Sequence, residues 1–378
     1  NPMELGPHPR SEKWVMHGVG VNGFSRPASV LNAANSGTAL RFLAGLVASM
    51  EGPIMLDGDQ SLRMRSSEAL WDSLRQAGVE VSIGQGLERL PVILSGPWKA
   101  EKLESGVTLD ISQSSQPLSS WILASTSLPI ETTLTLKGKG VSNRHSNLTA
   151  VMVRKAGCSV DIGKERCTLK PWSPSSDDSY AVPGDASMAS FAVLAAFCLS
   201  SDIRLNGWPE KENAIGHEIL QESAIEYGIK WSAGRLELAK EAEYTHLDVT
   251  DSNDILPPMA ALLALGGGGR ITGAAHAAHK ESNRLTRTVE LLEHFGLKAK
   301  LLPDGVEVDG NQVPKKPSYP VPTFEDHRLF MTAVLLASKT GGEIIGQKLH
   351  HVADEGFLQR LQDAGVEIES VQIPSLED

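Results

Sequence analysis

Residues 70–83 read LWDSLRQAGVEVSI, and the fold follows from this stretch because the chain repeats its pattern. The apolar residues recur at helical spacing before Gly78 and alternate with period two after it. Glycine adopts the left-handed backbone conformation at little steric cost, so it commonly ends a helix. The stretch therefore predicts an amphipathic helix, a tight stop and a short, half-buried strand.

Four further stretches share this helix–glycine–strand signature: VMVRKAGCSVDI (151–162), LQESAIEYGIKWSA (220–233), VELLEHFGLKAKLL (289–302) and LQRLQDAGVEIESV (358–371). The successive glycines, which are Gly78, Gly157, Gly228, Gly296 and Gly365, lie 79, 71, 68 and 69 residues apart. A period of about 70 residues is too long for a solenoid and suits a compact unit of helices and sheet. We therefore predict a mixed α/β (α+β) fold of repeated units, with five complete signatures.

A polar loop divides the repeats into two groups. The segment KPWSPSSDDSYAVPGD (170–185) is rich in Ser, Pro and Asp and separates the second signature from the third. We predict an N-terminal lobe of residues 1–180, a C-terminal lobe of residues 181–378 and a ligand site in the cleft between them. Six units would divide equally between two lobes, and no helix precedes the first strand-like stretch, WVMHGVG (14–20). We therefore expect the chain to begin partway through its first unit.

Composition excludes several classes of function. The net charge of −11 over 378 residues argues against a nucleic-acid partner held by a general basic field. An anionic ligand would instead need a local cluster of Lys and Arg. The three cysteines show no CxxC spacing, which indicates neither a disulfide framework nor a zinc site and favours a reducing, cytoplasmic compartment. The longest apolar run, FAVLAAFCL (191–199), is shorter than the roughly 20 residues of a membrane-spanning helix, and no secretory pattern opens the chain.

Some short motifs resemble cofactor or metal sites but lack what such sites require. GVGVNG (18–23) fits the GxGxxG pattern of dinucleotide-binding proteins, but Pro27 follows it where a helix would be needed. HAAH (276–279) and the pair His350–His351 have no carboxylate or cysteine at metal-ligand spacing. We expect neither a cofactor nor a metal ion.

Several segments place polar or basic residues where a predicted helix begins. Ser36, Gly37 and Thr38 precede an apolar helix, and Arg41 adds a positive charge one turn later. The free N–H groups and the positive dipole end of such a helix form an anion site, although an ordinary Ser cap would explain the same residues. Similar segments are DGDQSLRMRSS (57–67) with Arg63 and Arg65, ISQSSQPLSS (111–120), VTDSNDILPPMAAL (249–262) with Asp254, and FEDHRLFM (324–331) with Asp326, His327 and Arg328.

The segment HKESNR places Glu281 between two cations, Lys280 and Arg284. One interpretation is a solvated helix start, capped by Ser282 or Asn283. The other is an acid/base carboxylate held by cations at a functional site. The segment alone leaves both interpretations open.

Seven segments carry the motifs of one family, in that family's order. They are NSGTALR (35–41), SLRMR (61–65), SSQ (114–116), VPGDASMASF (182–191), DILP (254–257), KESNR (280–284) and DHRLFM (326–331). On these motifs, which span almost the whole chain, the protein resembles the 5-enolpyruvylshikimate-3-phosphate synthase family, one of the enolpyruvyl transferases.

The resemblance implies a two-lobed, inverse α/β barrel-like fold, in which each lobe has three βαβαββ units and the active site lies in the cleft. It implies transfer of the enolpyruvyl group of phosphoenolpyruvate to the 5-hydroxyl of shikimate 3-phosphate, with release of phosphate. This reaction belongs to the shikimate pathway, which leads to chorismate and the aromatic amino acids, and the inhibitor glyphosate acts on it. The resemblance also implies a cytoplasmic monomer that needs no cofactor and no partner chain.

Matching positions give individual residues roles under this resemblance. Asp254 would take the proton of the 5-hydroxyl, and Glu281 would transfer protons at the methylene carbon of phosphoenolpyruvate, since the two steps need separate groups. Phosphoenolpyruvate would be bound by Gly37, Arg63, Gln116, Arg284 and Arg328, because guanidinium groups offer paired donors to phosphate and carboxylate. Shikimate 3-phosphate would be bound by Ser114, Ser115, Gln116, Ser142, Asp254 and Lys280.

Some positions depart from the family's pattern. Its N-terminal segment of the form PGSKSxSxR is absent from the chain. Asn283 replaces Asp, Ala278 replaces a frequent Arg, His145 replaces Tyr, Phe42 stands where Pro is common, and Asp354 stands at a Lys position. These departures leave two alternatives open: a divergent enolpyruvyl transferase with another hydroxylated acceptor, and a non-catalytic relative that binds an anion or a protein partner.

Overall fold

The computed structural model describes residues 3–4, 15–20, 24–84, 86–175, 182–208, 217–232, 234–346 and 348–371. In this part of the chain, sixteen β-strands form four four-stranded sheets. The strands are β1 (Met3–Glu4), β2 (Leu31–Asn32), β3 (Gly52–Asp57), β4 (Glu80–Ile83), β5 (Val92–Gly96), β6 (Val107–Asp110), β7 (Thr132–Lys137), β8 (Val160–Ile162), β9 (Arg166–Leu169), β10 (Ile203–Arg204), β11 (Ile229–Ser232), β12 (Arg235–Leu238), β13 (Thr245–Asp248), β14 (Gly268–Thr272), β15 (Ala299–Leu302) and β16 (Gly305–Asp309).

The helices connect these strands. They are α1 (Gly37–Val47), α2 (Gln60–Arg63), α3 (Glu68–Gln76), α4 (Ala100–Leu103), α5 (Gln116–Ala124), α6 (Asn143–Lys155), α7 (Ala189–Leu199), α8 (Ile219–Glu222), α9 (Leu256–Leu265), α10 (Arg284–His294), α11 (His327–Thr340) and α12 (Phe357–Asp363). Short 3-10 turns lie at Ser125–Ser127, Ala186–Met188, Asn253–Ile255, Ala275–His279 and Leu349–Val352. The predicted mixed α/β class is confirmed.

One connectivity recurs in the four sheets. In the sheet of β2, β3, β5 and β4, helix α1 joins the parallel pair β2 and β3, and α3 leads into β4 and β5, which are antiparallel. The sheets ordered β6-β7-β9-β8 and β13-β14-β16-β15 follow the same plan. The fourth sheet, β1-β10-β12-β11, takes its first strand from Met3–Glu4, which pairs in parallel with Ile203–Arg204. This connectivity is a βαβαββ unit.

Four of the five repeated glycines end their helices as predicted, two residues after the last helical residue, whereas α8 ends at Glu222, six residues before Gly228. Their φ angles are +85° at Gly78, +99° at Gly157, +91° at Gly228, +69° at Gly296 and +92° at Gly365, all in the left-handed region. Strands follow the first four of these glycines, as the sequence pattern predicts.

Two strand predictions are wrong. Residues 366–371, after the last glycine, contain no strand, and neither do the exposed residues 15–20. A strand requires a hydrogen-bonded neighbour. Around the last signature the described pairing is a single parallel bridge, between Val321 and Ile344. The alternating pattern was present in both stretches, but the sequence could not supply a partner strand.

The buried apolar residues form two clusters with no common member. One extends from Ala33 to Leu169 and the other from Ala189 to Leu361. We call residues 24–175 the N-terminal half and residues 182–371 the C-terminal half. The predicted boundary at residue 180 falls outside the described residues, so the division into lobes stays a prediction. Strand β1 joins a sheet of the C-terminal half, so the chain's first described residues do not belong with the N-terminal cluster.

Helices occupy the interior of each half. In the C-terminal half α7 packs against α9 and α11, and nearly every residue of α7 and α9 is buried. A helix that is apolar on all sides requires such surroundings. In the N-terminal half α1 packs on α5, and α5 packs on α6. Within the described ranges, no helix has both the length and the apolar character needed to cross a bilayer.

Candidate active site

A cavity of about 810 Å³ has walls from both halves of the chain. The N-terminal half contributes the start of α1, the turn after α2, the loop before β5 and the start of α5. The C-terminal half contributes the segment before α9, the turn that precedes α10 and the start of α11. Several helices thus begin at the cavity, and helix N-termini favour anions.

Side-chain caps fix the starts of these helices. Ser36 Oγ accepts the Ala39 N–H of α1 at 3.1 Å, and Asp326 Oδ1 accepts the Arg328 N–H of α11 at 2.9 Å. Asn283 Oδ1 accepts the Thr286 N–H of α10 at 3.3 Å. The capping interpretation of HKESNR is therefore correct for Asn283, but the residues beside the cap face the cavity.

Arg284 lies between three carboxylates and is only 1% exposed. Its Nε donates to Asp326 Oδ2 at 2.8 Å, its Nη1 donates to Asp254 Oδ1 at 2.6 Å, and its Nη2 donates to Glu281 Oε2. Burial disfavours the guanidinium charge, but the three carboxylates outweigh burial and raise the pKa of Arg284. The two carboxylates predicted to be catalytic, Asp254 and Glu281, therefore share one buried cation.

Three cations surround Asp254. Besides Arg284, its carboxylate lies 3.4 Å from Arg328 Nη2 and 3.8 Å from Lys280 Nζ. Burial raises the pKa of Asp254, but Arg328, Lys280 and Arg284 together bring it well below the usual value. Asp254 is therefore ionised at neutral pH.

Glu281 connects the two halves. Its Oε1 lies 3.5 Å from Arg65 Nη1 of the N-terminal half, while Arg284 binds its other oxygen. Burial raises the pKa of Glu281, but Arg284 and Arg65 outweigh burial and lower the pKa to about 2.

A polar network holds Arg41 against the cavity wall. Its Nε donates to Ser67 Oγ at 3.1 Å and its Nη1 donates to Gln116 Oε1, while Gln116 Nε2 donates to Thr38 Oγ1 at 2.8 Å. Burial and the neighbouring charge of Arg65 lower the pKa of Arg41 to about 10. Two guanidinium groups close enough to repel each other form a site that an anion would stabilise.

The cavity is basic although the whole chain is acidic. Among its described lining residues six are Lys or Arg and two are Asp or Glu. The basic residues are Arg41, Arg65, Arg89, Lys280, Arg284 and Arg328. Low-dielectric walls focus the field of such a cluster and favour a ligand with several negative charges.

Most predicted site residues meet at this cavity. Those that line it are Gly37, Ser114, Gln116, Asp254, Lys280, Glu281, Arg284 and Arg328. Ser115 is buried at the start of α5 and is not among the lining residues. Ser142 is also not among them; it precedes α6 with φ +51°, and its N–H donates to the Thr250 carbonyl at 3.4 Å.

The prediction that Arg63 lies at the site is not supported by the cavity lining, because Arg65 is the arginine of this segment that faces the cavity. Arg63 Nη2 pairs with Asp57 at 2.6 Å and its Nη1 lies 3.5 Å from Glu88, away from the cavity lining. The short helix α2 ends at Arg63, and the turn after it directs Arg65 inward. The motif SLRMR contains both arginines, so the motif alone could not distinguish them. Asp57, six residues earlier, was the sequence signal for a partner of Arg63.

Three residues at the site had no assigned role in the sequence analysis. Arg89, in the loop before β5, lines the cavity, and its N–H donates to the Arg63 carbonyl at 2.6 Å. His276 Nε2 lies 2.6 Å from Asn253 Nδ2, and burial lowers the pKa of His276 to about 4. Asp326 was recognised only as a helix start, but it also anchors Arg284. The loop that carries Arg89 has no sequence pattern, and the HAAH spacing could not indicate the contact of His276 with Asn253.

Two of the positions that depart from the family's pattern, Ala278 and Asn283, line the cavity, and the other three, Phe42, His145 and Asp354, are not among its lining residues. Phe42 is half-buried on α1. The His145 ring meets His217 edge to face at 6.3 Å. Asp354 pairs with Arg360 of α12, so the carboxylate at this position has its own cation within the C-terminal half.

Comparison with known proteins gives one consistent family. The family described as EPSP synthase (3-phosphoshikimate 1-carboxyvinyltransferase) matches residues 4–361. A 3-phosphoshikimate 1-carboxyvinyltransferase of Methanothrix thermoacetophila is 30% identical over 357 residues, which cover 92% of this chain and 82% of the relative. The enzyme of the same name from Methanosarcina acetivorans is 28% identical over 382 residues, covering 95% of this chain and 84% of the relative.

Solved structures give the same fold. An EPSP synthase from Acinetobacter baumannii superposes with a TM-score of 0.71 at 24% identity, covering 94% of this chain and 83% of the other. The enolpyruvyl transferase NikO of Streptomyces tendae superposes with a TM-score of 0.56 at 14% identity, covering 92% and 97%. The resemblance found on the seven motifs is confirmed.

Proposed function

Because the chain belongs to the EPSP synthase (3-phosphoshikimate 1-carboxyvinyltransferase) family, we propose that its basic cavity is the site at which the family's reaction occurs. The protein is a transferase that moves the enolpyruvyl group of phosphoenolpyruvate to the 5-hydroxyl of shikimate 3-phosphate and releases phosphate. This reaction is a step of the shikimate pathway.

The proposal depends most on one observation: Asp254 and Glu281 are held by the same guanidinium, that of Arg284, at a cavity where cations of both halves meet. Each substrate carries one phosphate and one carboxylate, so two phosphates and two carboxylates must be bound close together for this reaction. Cations that come from distant segments and converge on one cavity of about 810 Å³ provide that environment in an acidic protein.

We assign phosphoenolpyruvate to the side of the cavity where Arg41, Arg65, Arg284 and Arg328 converge. Guanidinium groups bind phosphate and carboxylate through paired donors, which gives orientation as well as charge. Gly37 supports this side because a Cβ at this position would lie 2.8 Å from Arg41 Nη1. We assign shikimate 3-phosphate to the neighbouring polar wall of Ser114, Gln116 and Lys280.

The two carboxylates divide the proton transfers. The 5-hydroxyl oxygen attacks the central carbon of phosphoenolpyruvate while Asp254 takes the hydroxyl proton and Glu281 protonates the methylene carbon. Loss of phosphate then breaks the bond between that central carbon and the phosphate oxygen, and Glu281 takes a proton back from the new methyl group. The enol ether forms, and the hydroxyl proton leaves through Asp254.

Substrate binding prepares both carboxylates for this work. Without substrate, neighbouring cations hold the pKa of Glu281 at about 2 and that of Asp254 well below its usual value. An anionic substrate competes for the same cations, so both pKa values rise when it binds. Asp254 then becomes a stronger base, and Glu281 gains a protonated fraction from which it can donate.

The same reasoning extends to assembly and location. Both walls of the cavity come from one chain, so we propose a monomer that acts on small molecules and has no nucleic-acid or membrane partner. We also propose a cytoplasmic location, in keeping with Cys158, Cys167 and Cys198, which are free and buried.

The test measures inorganic phosphate released from phosphoenolpyruvate, with and without shikimate 3-phosphate. We expect release only with both substrates, and a loss of about 100-fold or more in kcat for Asp254→Asn and Glu281→Gln, because each removes an acid/base group. Calorimetry of the two variants should still show substrate binding. Turnover of another alcohol in place of shikimate 3-phosphate would indicate a different acceptor, and absence of both release and binding would refute the proposal.

A further inference from the structure

Four successive residues at the start of α6 contact the C-terminal half. The Ser142 N–H donates to the Thr250 carbonyl at 3.4 Å, and the Asn143 N–H donates to Asp251 Oδ1 at 2.8 Å. The next residue, Arg144, pairs with Glu218. The fourth, His145, meets the His217 ring edge to face. This contact lies outside the described cavity lining, and the proposed reaction gives it no role.

Helix α6 depends on the other half for its cap. Ser142, at the N-cap position, has a left-handed φ of +51°, and its side chain makes no cap hydrogen bond. The Asp251 carboxylate takes that place from the opposite half, where it accepts the first helical N–H. A carboxylate at a helix N-terminus also interacts favourably with the helix dipole.

Asp251 lies three residues before Asp254. Between them the chain turns tightly into the 3-10 segment Asn253–Ile255, with the Ile255 N–H donating to the Ser252 carbonyl at 3.1 Å. So short and hydrogen-bonded a connection transmits the position of Asp251 to Asp254. Glu218 strengthens the contact, because it is only 8% exposed and a buried carboxylate requires its partner Arg144.

We propose that Asp251 is a positioning residue: by capping α6 from the opposite half, it fixes the turn that carries Asp254 when the two halves meet. Contact between the halves thereby sets the orientation of the base toward the 5-hydroxyl. This inference rests on the proposed role of Asp254. It concerns kcat more than substrate affinity, since Asp251 is not among the residues that line the cavity.

The test compares Asp251→Ala, Asp251→Asn and Asp248→Ala. Asp248 is the matched control, because its carboxylate accepts the Thr250 N–H at 2.9 Å and the Thr250 hydroxyl at 2.6 Å, within the same segment and without touching α6. Asn at position 251 keeps an oxygen that can accept the helical N–H. Two quantities are measured: amide hydrogen exchange at Asn143 and Arg144 without substrates, and kcat with KM from phosphate release.

We expect Asp251→Ala to speed exchange at the start of α6 and to lower kcat about tenfold. In free energy, this fall in kcat equals what the loss of a helix cap typically costs. The KM for phosphoenolpyruvate should change less than about twofold. Asp251→Asn should restore most of both quantities, and Asp248→Ala should leave α6 exchange unchanged. Unchanged exchange or unchanged kcat in Asp251→Ala would overturn the inference, as would an equal loss of kcat in Asp248→Ala. Wild-type protein with neither turnover nor substrate binding would instead refute the proposed function, and the exchange result would then test only the cap of α6.

Discussion

Arg63 and Arg65 provide a matched pair of substitutions, because they lie two residues apart and only one of them faces the cavity. We predict that Arg65→Ala impairs phosphoenolpyruvate use and that Arg63→Ala does not. The Arg65 side chain is 10% exposed and lies 3.5 Å from Glu281 Oε1. The Arg63 side chain is 33% exposed and pairs with Asp57 on the outside of the same segment.

The size of the effect follows from these surroundings. A hydrogen bond between a charged donor and an anion contributes about 1.5–3 kcal/mol, so losing one lowers kcat/KM roughly tenfold to 150-fold. Removing Arg65 also removes a cation that lowers the pKa of Glu281. The limb of the pH–rate profile on which Glu281 loses the proton that it donates should therefore move to higher pH in this variant. In Arg63→Ala, water replaces the guanidinium as the partner of Asp57 at little cost in free energy, since solvent already screens a partly exposed pair.

The assay is phosphate release at varied phosphoenolpyruvate and saturating shikimate 3-phosphate, with thermal unfolding as a check on folding. For Arg63→Ala we expect kcat/KM within about twofold of wild type, as is usual for a surface substitution. The reasoning is refuted if Arg63→Ala loses as much kcat/KM as Arg65→Ala, or if Arg65→Ala retains wild-type kcat/KM.

Three further predictions concern the cavity and its neighbours. Gly37→Ala should lower kcat/KM for phosphoenolpyruvate about tenfold, because the new Cβ displaces the Arg41 guanidinium, and should not lower stability, because alanine favours the helix. Steady-state kinetics and thermal unfolding measure the two effects, and a less stable variant would contradict the prediction. The free energy of unfolding should fall as pH drops from 6.5 to about 4, because burial lowers the pKa of His217, His276 and His327 to about 4 and the unfolded chain therefore binds more protons. A second fall, from pH 4.5 toward about 2, should come from Glu281, whose lowered pKa stabilises the fold only while the carboxylate is ionised. Denaturant titrations of Glu281→Gln should lack this second fall. The KM for phosphoenolpyruvate should rise with added salt, since the basic cavity attracts its anion electrostatically; a KM independent of ionic strength would count against this.

The features that could be predicted from the sequence are those with a local cause. A glycine that ends a helix needs φ > 0 wherever the chain goes next, which is why Gly78, Gly157 and Gly296 could be recognised without coordinates. A cap such as Asn283 likewise depends on the residues three positions away. Most of the candidate site followed from these helix starts, together with the order of the family motifs.

The remaining features depend on contacts between distant segments. Arg63 and Arg65 are equivalent in the motif, and only Asp57 and Glu88 distinguish them. Arg89 comes from a loop with no pattern, and its orientation follows from a backbone contact with a segment 26 residues earlier. The absent strand at 366–371 shows the same limit, since alternation specifies a face but not a partner.

Arg284 explains how an acidic protein can keep a cationic site ready for substrate. Removing one partner of a buried ion pair costs about 3–5 kcal/mol, so a guanidinium buried without partners would not be stable. Asp326, at the N-cap of α11, stays with Arg284 as a permanent partner because it is fully buried. Asp254 and Glu281 are partners of a different kind, because both line the cavity and their cations are within reach of a ligand. Under the proposed mechanism, an anionic substrate that binds Arg284 therefore replaces carboxylates rather than leaving a charge unpaired, and the carboxylates it releases are the two to which we assign the proton transfers.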